Sequence, residues 1–199
     1  MAPCVLLQAI AQVRFNPEAR ELTTSELVAS AQGCDALIAY RQTPAPVMGF
    51  ELRGSTLGVI GHGQISAQLC ELALAFGMRV LLTTPQPVQA REGLRQVPLP
   101  TLLAQSHFVV CLAASNASTY RMFDAAAFAA MQPGTFFVNA SRGQLVDETA
   151  LLAALNAGHL GGSALDVGCA PDQMPSLELA RHPLVIATPH IGGLTPQAI

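Results

Sequence analysis

The stretch Leu57-Gly-Val-Ile-Gly-His-Gly-Gln-Ile-Ser66 decides how the rest of the chain folds. Residues 57–60 form a short apolar run, Gly61 and Gly63 interrupt it, and a helix-compatible segment follows over 64–76. An apolar run, a glycine turn and a helix in that order describe a strand turning sharply into a helix. The first glycine permits the turn. The second lets backbone approach a pyrophosphate, which then faces the N–H groups that open the helix. Gly61, Gly63, Gln64 and Ile65 are therefore candidate cofactor contacts. The usual G-x-G-x-x-G spacing ends on Ser66 in place of its third glycine. Gly-rich turns of this kind also occur without ligands, so the weight falls on what surrounds this one.

Outward from the turn, the pattern is steady alternation. Strands are expected over 78–83, 108–112, 135–140, 163–167 and 184–188. Helices are expected over 99–105, 124–131 and 147–157, with Asp124 and Asp147 as N-caps and Gly158 closing the last. Residues 85–95 are polar and irregular. Strands alternating with helices imply a parallel sheet covered on both faces, an α/β doubly wound fold of Rossmann type. Upstream, residues 4–11 and 36–40 read as strands. Thr23-Thr-Ser-Glu26 has capping-box spacing and opens a helix between them. The Pro-rich connector at 42–49 marks a boundary.

Composition narrows the function classes. The chain has 199 residues, 51% of them hydrophobic and 12% charged, which provides for a sizeable core and argues against disorder. Net charge is −3 with no basic run and no Trp, so nothing favours nucleic acid or a membrane surface. The five cysteines are scattered without CxxC spacing, which suits small buried hydrophobes in a reducing compartment rather than a metal site. The N-terminus lacks the basic start of a signal peptide, and a cytoplasmic protein is expected.

Three clusters fall just after strands, where a doubly wound sheet binds ligands. They are Gly61–Ser66, Val138-Asn-Ala-Ser-Arg-Gly-Gln-Leu-Val-Asp147 and Ile186-Ala-Thr-Pro-His-Ile-Gly-Gly193. Together they offer an anion cradle, a guanidinium and an imidazole. Read singly, Arg142 is better explained as a surface or helix-terminus residue, and His190 equally well as a core histidine. His62, His107, His159 and His182 have only structural or solvated readings, and Asp147 is taken as a helix cap.

The set resembles the D-isomer-specific 2-hydroxyacid dehydrogenases. Met131-Gln-Pro-Gly-Thr-Phe-Phe-Val-Asn-Ala-Ser-Arg-Gly-Gln-Leu-Val-Asp147 is similar to their long Arg-bearing signature, Thr188-Pro-His-Ile-Gly-Gly193 to their His motif, and Ala164-Leu-Asp-Val167 to the strand that carries a cofactor-site Asp. The resemblance covers about residues 46–195. It implies that Arg142 holds the carboxylate and carbonyl oxygen of a 2-oxo or 2-hydroxy acid. It implies that His190 is the general acid/base, and that Ala140, Arg142, Asp166 and His190 line a nicotinamide cofactor. Hydride addition builds negative charge on an oxygen, and a cation with a proton donor stabilises it.

The departures carry expectations too. The family pairs the His with a Glu, but that position is Pro171 here, and Asp172 is one residue later. Asp172 is a candidate catalytic partner, with a solvent-facing position as its alternative. The second strand runs out in Leu82-Thr-Thr-Pro85 where an acidic ribose-binding residue is usual. Thr83 or Thr84 can bond a hydroxyl without repelling a 2′-phosphate, and Arg91 or Arg95 is a possible phosphate contact, so both NAD and NADP stay open. The resemblance also implies that residues 1–45 are a truncated, flavodoxin-like remnant of the substrate domain ahead of a dinucleotide-binding domain at 46–199. A homodimer is expected, because apolar surface left by the missing part favours association. The rival expectation is a catalytically degenerate nucleotide-binding protein or interaction subunit.

Overall fold

A computed structural model describes residues 51–193. The strands and helices expected over residues 4–40, and the boundary at 45/46, lie outside the described residues.

The elements follow in chain order: β1 (Thr56–Ile60), α1 (Gln64–Ala75), β2 (Arg79–Thr83), β3 (Leu94–Gln96), α2 (Leu99–Gln105), β4 (Phe108–Cys111), α3 (Ala125–Ala129), β5 (Thr135–Asn139), α4 (Glu148–Asn156), β6 (Leu160–Leu165), α5 (Leu177–Ala180) and β7 (Val185–Ala187). The strands form one sheet in the order β3-β2-β1-β4-β5-β6-β7, and every pairing is parallel. The chain winds outward from β1 in one direction, then crosses back to β4 and winds in the other. The switch between β1 and β4 is the position at which such sheets open a crevice.

All five residues of β1 are buried, as a central strand covered on both faces requires. On one face Leu57, Val59, Val80, Leu82 and Leu94 pack against Cys70 and Ala73 of α1. On the other, Ile60, Leu81, Val109, Phe137 and Leu165 pack against residues of the remaining helices, among them Leu102, Phe128, Leu151 and Leu179. At the centre of that second face Phe137 meets Phe123 at 4.8 Å and Phe128 edge-on at 5.3 Å. Each fully buried side chain of this size contributes roughly 1.5–3 kcal/mol.

The helix caps are those expected from sequence. Asp124 accepts from the Ala127 N–H, and Asp147 accepts from the N–H groups of Thr149 and Ala150. Three elements differ from expectation. The edge strand β3 lies at the end of the stretch read as irregular. It pairs with β2 in parallel, and only Leu94 of its three residues is buried. Strand β6 begins at Leu160, before the expected start, because Gly161 and Gly162 sit in the strand against the Phe136 ring despite their poor strand propensity. The short helix α5, capped by Ser176, was not expected at all. Among the described residues no helix is long and apolar enough to cross a membrane.

The histidines outside the motif have local structural roles. His107 Nδ1 accepts from the Thr56 N–H, and His182 Nδ1 from the Leu184 N–H. His159 Nε2 lies 3.1 Å from the carbonyls of both Phe128 and Met131. His62 is exposed.

Candidate functional site

The carboxyl ends of six strands lie in one row. Ile60 is in register with Thr83 and Cys111, Cys111 with Asn139, Asn139 with Leu165, and Leu165 with Ala187. Each candidate residue follows the row by one to three positions: Thr84 after β2, Gly61 after β1, Ala140 and Arg142 after β5, Asp166 after β6 and His190 after β7. Neighbouring strands are about 4.8 Å apart, so the strands bearing Arg142 and His190 stand roughly 10 Å apart on the same rim.

Gly61 and Gly63 have different reasons to be glycine. Gly61 takes φ +94°, and a Cβ there would lie 2.7–2.8 Å from backbone atoms of Leu112 and Ala113. The turn needs glycine for the fold itself, because it is left-handed and pressed against the chain leaving β4. Gly63, the N-cap of α1, takes φ −116° and ψ −170°, which any residue adopts. A Cβ on Gly63 would meet no protein atom within 4 Å. Among the described residues no contact requires glycine at 63, and open space lies where its side chain would be. No side chain caps α1, so its first N–H groups are free to face an anion. Residues Gly61, Gly63, Gln64 and Ile65 thus fit a dinucleotide pyrophosphate. Ile65 is 70% exposed at the opening of the helix.

Arg142 is positioned by a buried amide. Asn139, 1% exposed, ends β5. Its Oδ1 accepts from the Ser141 N–H at 3.1 Å, and its Nδ2 donates to the Arg142 carbonyl at 3.0 Å. The Ser141 hydroxyl donates to the Ala113 carbonyl, tying this turn to the loop after β4. Arg142 is exposed, with one guanidinium nitrogen donating to the Ser141 carbonyl. Sequence reasoning passed over Asn139 and Ser141. The only available signal was an Asn at a strand end, where its side chain can reach backbone two or three residues on.

The His190 loop is held by Asp166. One carboxylate oxygen accepts from the Thr188 hydroxyl at 2.5 Å and the Ile191 N–H at 2.9 Å, and the other accepts from the Gly192 N–H at 2.9 Å. His190 sits within this clamp at φ +53°, a left-handed backbone uncommon for a residue with a side chain. Partial burial pushes the Asp166 carboxyl upward. The donors from Thr188, Gly192 and Ile191, with the His190 charge, outweigh it and hold the group below the usual carboxylate range. Asp166 was expected to line the nicotinamide; in the structure its carboxylate is engaged by the loop that carries His190.

Asp172 and Thr83 stand differently. Asp172 is exposed, and its Oδ1 accepts from the Met174 N–H of its own turn. Glu148 of α4 fastens the same loop, accepting from the Cys169 and Ser176 N–H groups. The Thr83 hydroxyl donates to the Val97 carbonyl at 2.7 Å and is occupied. Among the described residues no group of three His, Cys, Asp or Glu side chains could hold a metal ion.

Comparison with known proteins accords with this arrangement. The family model for the D-isomer specific 2-hydroxyacid dehydrogenase, NAD binding domain, matches residues 23–192. D-3-phosphoglycerate dehydrogenase 1 of Saccharomyces cerevisiae is 41% identical over 162 residues, covering 75% of this chain and 34% of that protein. A putative 2-hydroxyacid dehydrogenase of Staphylococcus saprophyticus is 39% identical over 150 residues, covering 74% and 47%. Among solved structures, a glyoxylate reductase from Paecilomyes thermophila superposes with a TM-score of 0.72 at 32% identity, covering 78% of this chain and 48% of that one. The D-mandelate dehydrogenase of Rhodotorula graminis superposes with a TM-score of 0.70 at 33% identity, covering 75% and 45%. The chain therefore spans between a third and a half of the length of these relatives. The family model matches most of the chain, and the chain belongs to the D-isomer specific 2-hydroxyacid dehydrogenases through their NAD-binding domain.

Proposed function

We propose that the protein is an NAD(P)-dependent oxidoreductase acting on CH–OH, interconverting a 2-hydroxy acid and its 2-oxo acid. The observation that carries this reading is the single row of strand ends from which the glycine turn, Arg142 and His190 all depart. The nicotinamide supplies or accepts the hydride. Arg142 offers a planar fork of donors that suits the carboxylate and carbonyl oxygen of the acid. His190 gives a proton to that oxygen during reduction and takes it back during oxidation. The Asn139 amide fixes the turn below Arg142, and Asp166 fixes the loop around His190, so both groups are set before substrate arrives.

Nucleotide binding without turnover is the second reading. The placement of Asp172 favours it, since an exposed carboxylate engaged in its own turn does nothing to orient the His190 ring. The deciding experiment titrates the full chain with NADH by nicotinamide fluorescence, then adds glyoxylate, pyruvate and hydroxypyruvate while NADH absorbance is followed. Oxidation with any of the three supports the dehydrogenase. Binding without oxidation selects the second reading, and absence of binding removes both.

Cytoplasmic residence and a homodimer complete the reading. Ile65, Leu72 and Phe76 recur at helical spacing, all exposed, and give association an apolar stripe along α1. Light scattering of the eluting protein tests the dimer, and a monomeric mass would remove it. The partition of the chain into residues 1–45 and 46–199 is tested by limited proteolysis, which should cut in the Pro-rich connector.

A further inference from the structure

Resting on the reading above, we propose that Thr84 leaves the cofactor site without the charge that rejects a 2′-phosphate, so that this chain binds NADP(H) about as well as NAD(H). Thr84 is the first residue beyond β2. It lies beside the glycine turn, because Thr83 is in register with Ile60 and its carbonyl accepts from the Gly61 N–H at 2.9 Å. That is the place, some twenty residues past the glycines, at which a carboxylate takes the ribose hydroxyls of NAD and repels the phosphate of NADP.

No carboxylate stands at this place. The run Thr84-Pro-Gln-Pro-Val-Gln-Ala90 contains no acidic residue. Its conformation is fixed from below by Gln96. That side chain donates to the carbonyls of Thr84 at 2.8 Å and Gln86 at 3.0 Å, and accepts from the Val88 N–H at 2.9 Å. Among the described residues the Thr84 hydroxyl donates to the Gln86 side-chain oxygen alone, at 3.3 Å. A neutral hydroxyl of this kind bonds a ribose hydroxyl or a phosphate oxygen alike.

The same geometry argues against a strong preference for the phosphate. Arg91, the first cation after this run, is paired with Glu71 of α1 at 2.6 Å. Its charge is already offset, and both side chains are open to solvent, so its pull on a phosphate is screened. Arg95 lies in β3 in register with Leu81, short of the strand ends that carry the site, so among the described residues neither a repelling carboxylate nor an unpaired guanidinium stands beside Thr84 to separate the two cofactors.

The test is fluorescence titration of the full chain with NADH and with NADPH, repeated for Thr84→Asp and for its uncharged counterpart Thr84→Asn. Dissociation constants for the two cofactors that agree within about tenfold are expected for the parent chain and for Thr84→Asn. Thr84→Asp should weaken NADPH by more than about tenfold relative to NADH. A parent chain that binds NADH with a preference beyond tenfold overturns the inference and leaves the dehydrogenase reading standing. So does a Thr84→Asp variant whose ratio is unchanged while its NADH affinity is intact. Absence of binding to either cofactor overturns the dehydrogenase reading itself, and this inference with it.

Discussion

Replacing Gly61 and Gly63 separately with alanine should split stability from ligand binding. At Gly61 the alanine must take φ +94°, a left-handed conformation that costs an L-residue roughly 1–2 kcal/mol. Its methyl would sit 2.7–2.8 Å from Leu112 and Ala113 backbone, and relieving an overpacked contact costs about 1–3 kcal/mol more. The smaller entropy of the unfolded alanine chain returns about 0.4–1 kcal/mol. The net loss is roughly 1–5 kcal/mol. For a unit of this size that lowers Tm by several degrees, at about 2–4 °C per kcal/mol. At Gly63 the backbone suits alanine and the methyl touches no protein atom. The slightly poorer cap and the unfolded-state gain nearly cancel, and stability should stay within about 0.5 kcal/mol. The methyl does occupy the open space at the mouth of α1, and NADH affinity should fall by about tenfold or more. Thermal melts and NADH titrations of both variants check this. A Gly63→Ala chain that binds NADH normally, or a Gly61→Ala chain as stable as its parent, would refute the reasoning.

Four other perturbations have defined outcomes. Asn139→Ala removes the amide beneath Arg142 and should cost about 1–3 kcal/mol of stability, read from denaturant midpoints, while kcat/KM for the oxo acid falls further than NADH affinity does. Asp166→Asn replaces a carboxylate held below its usual range. A lowered folded value means stability that is present above the ordinary carboxylate range and lost as pH falls through it, so the gap between parent and variant should narrow in acid melts and stay constant at neutral pH. Cys111 lies the other way. Burial pushes its thiol up to about 11, opposed by a backbone bond to Ala113. Stability should be intact below about 9 and fall by about 3 kcal/mol as pH rises toward 11, at roughly 1.4 kcal/mol per unit, and Cys111→Ala should flatten that alkaline loss in equilibrium unfolding. Asp172→Asn should leave the pH–rate profile in place, and a displaced profile would restore Asp172 as the partner of His190.

What the sequence made legible depended on the range of the cause. The strand, turn and helix around Gly61 were readable because each follows from local chemistry: an apolar run, a residue free of Cβ, a helix-forming segment. Asp124 and Asp147 were readable as caps for the same reason. Strand β3 was not, since Leu94-Arg-Gln96 has no pattern of its own and is a strand only because β2 offers it hydrogen bonds. The start of β6 was hidden because its glycines are placed by the Phe136 ring, a contact that exists only after folding. At the site, Arg142, Asp166 and His190 were visible through the family resemblance. The bonds that set them, from Asn139 to the Arg142 turn and from Asp166 to the His190 loop, join residues whose meeting depends on adjacent strands ending in register.

That shared register divides the sheet into a working rim and a quiet one. The turn that enters β5 at the other end of the strands is tight, with Gly134 at φ +83° donating to the His159 carbonyl at 2.7 Å. No candidate side chain departs from it. A cysteine placed at Gln132 beside that turn, in a chain whose exposed Cys169 is first replaced, would tether the protein to a surface or a label at the end of the strands away from Arg142 and His190.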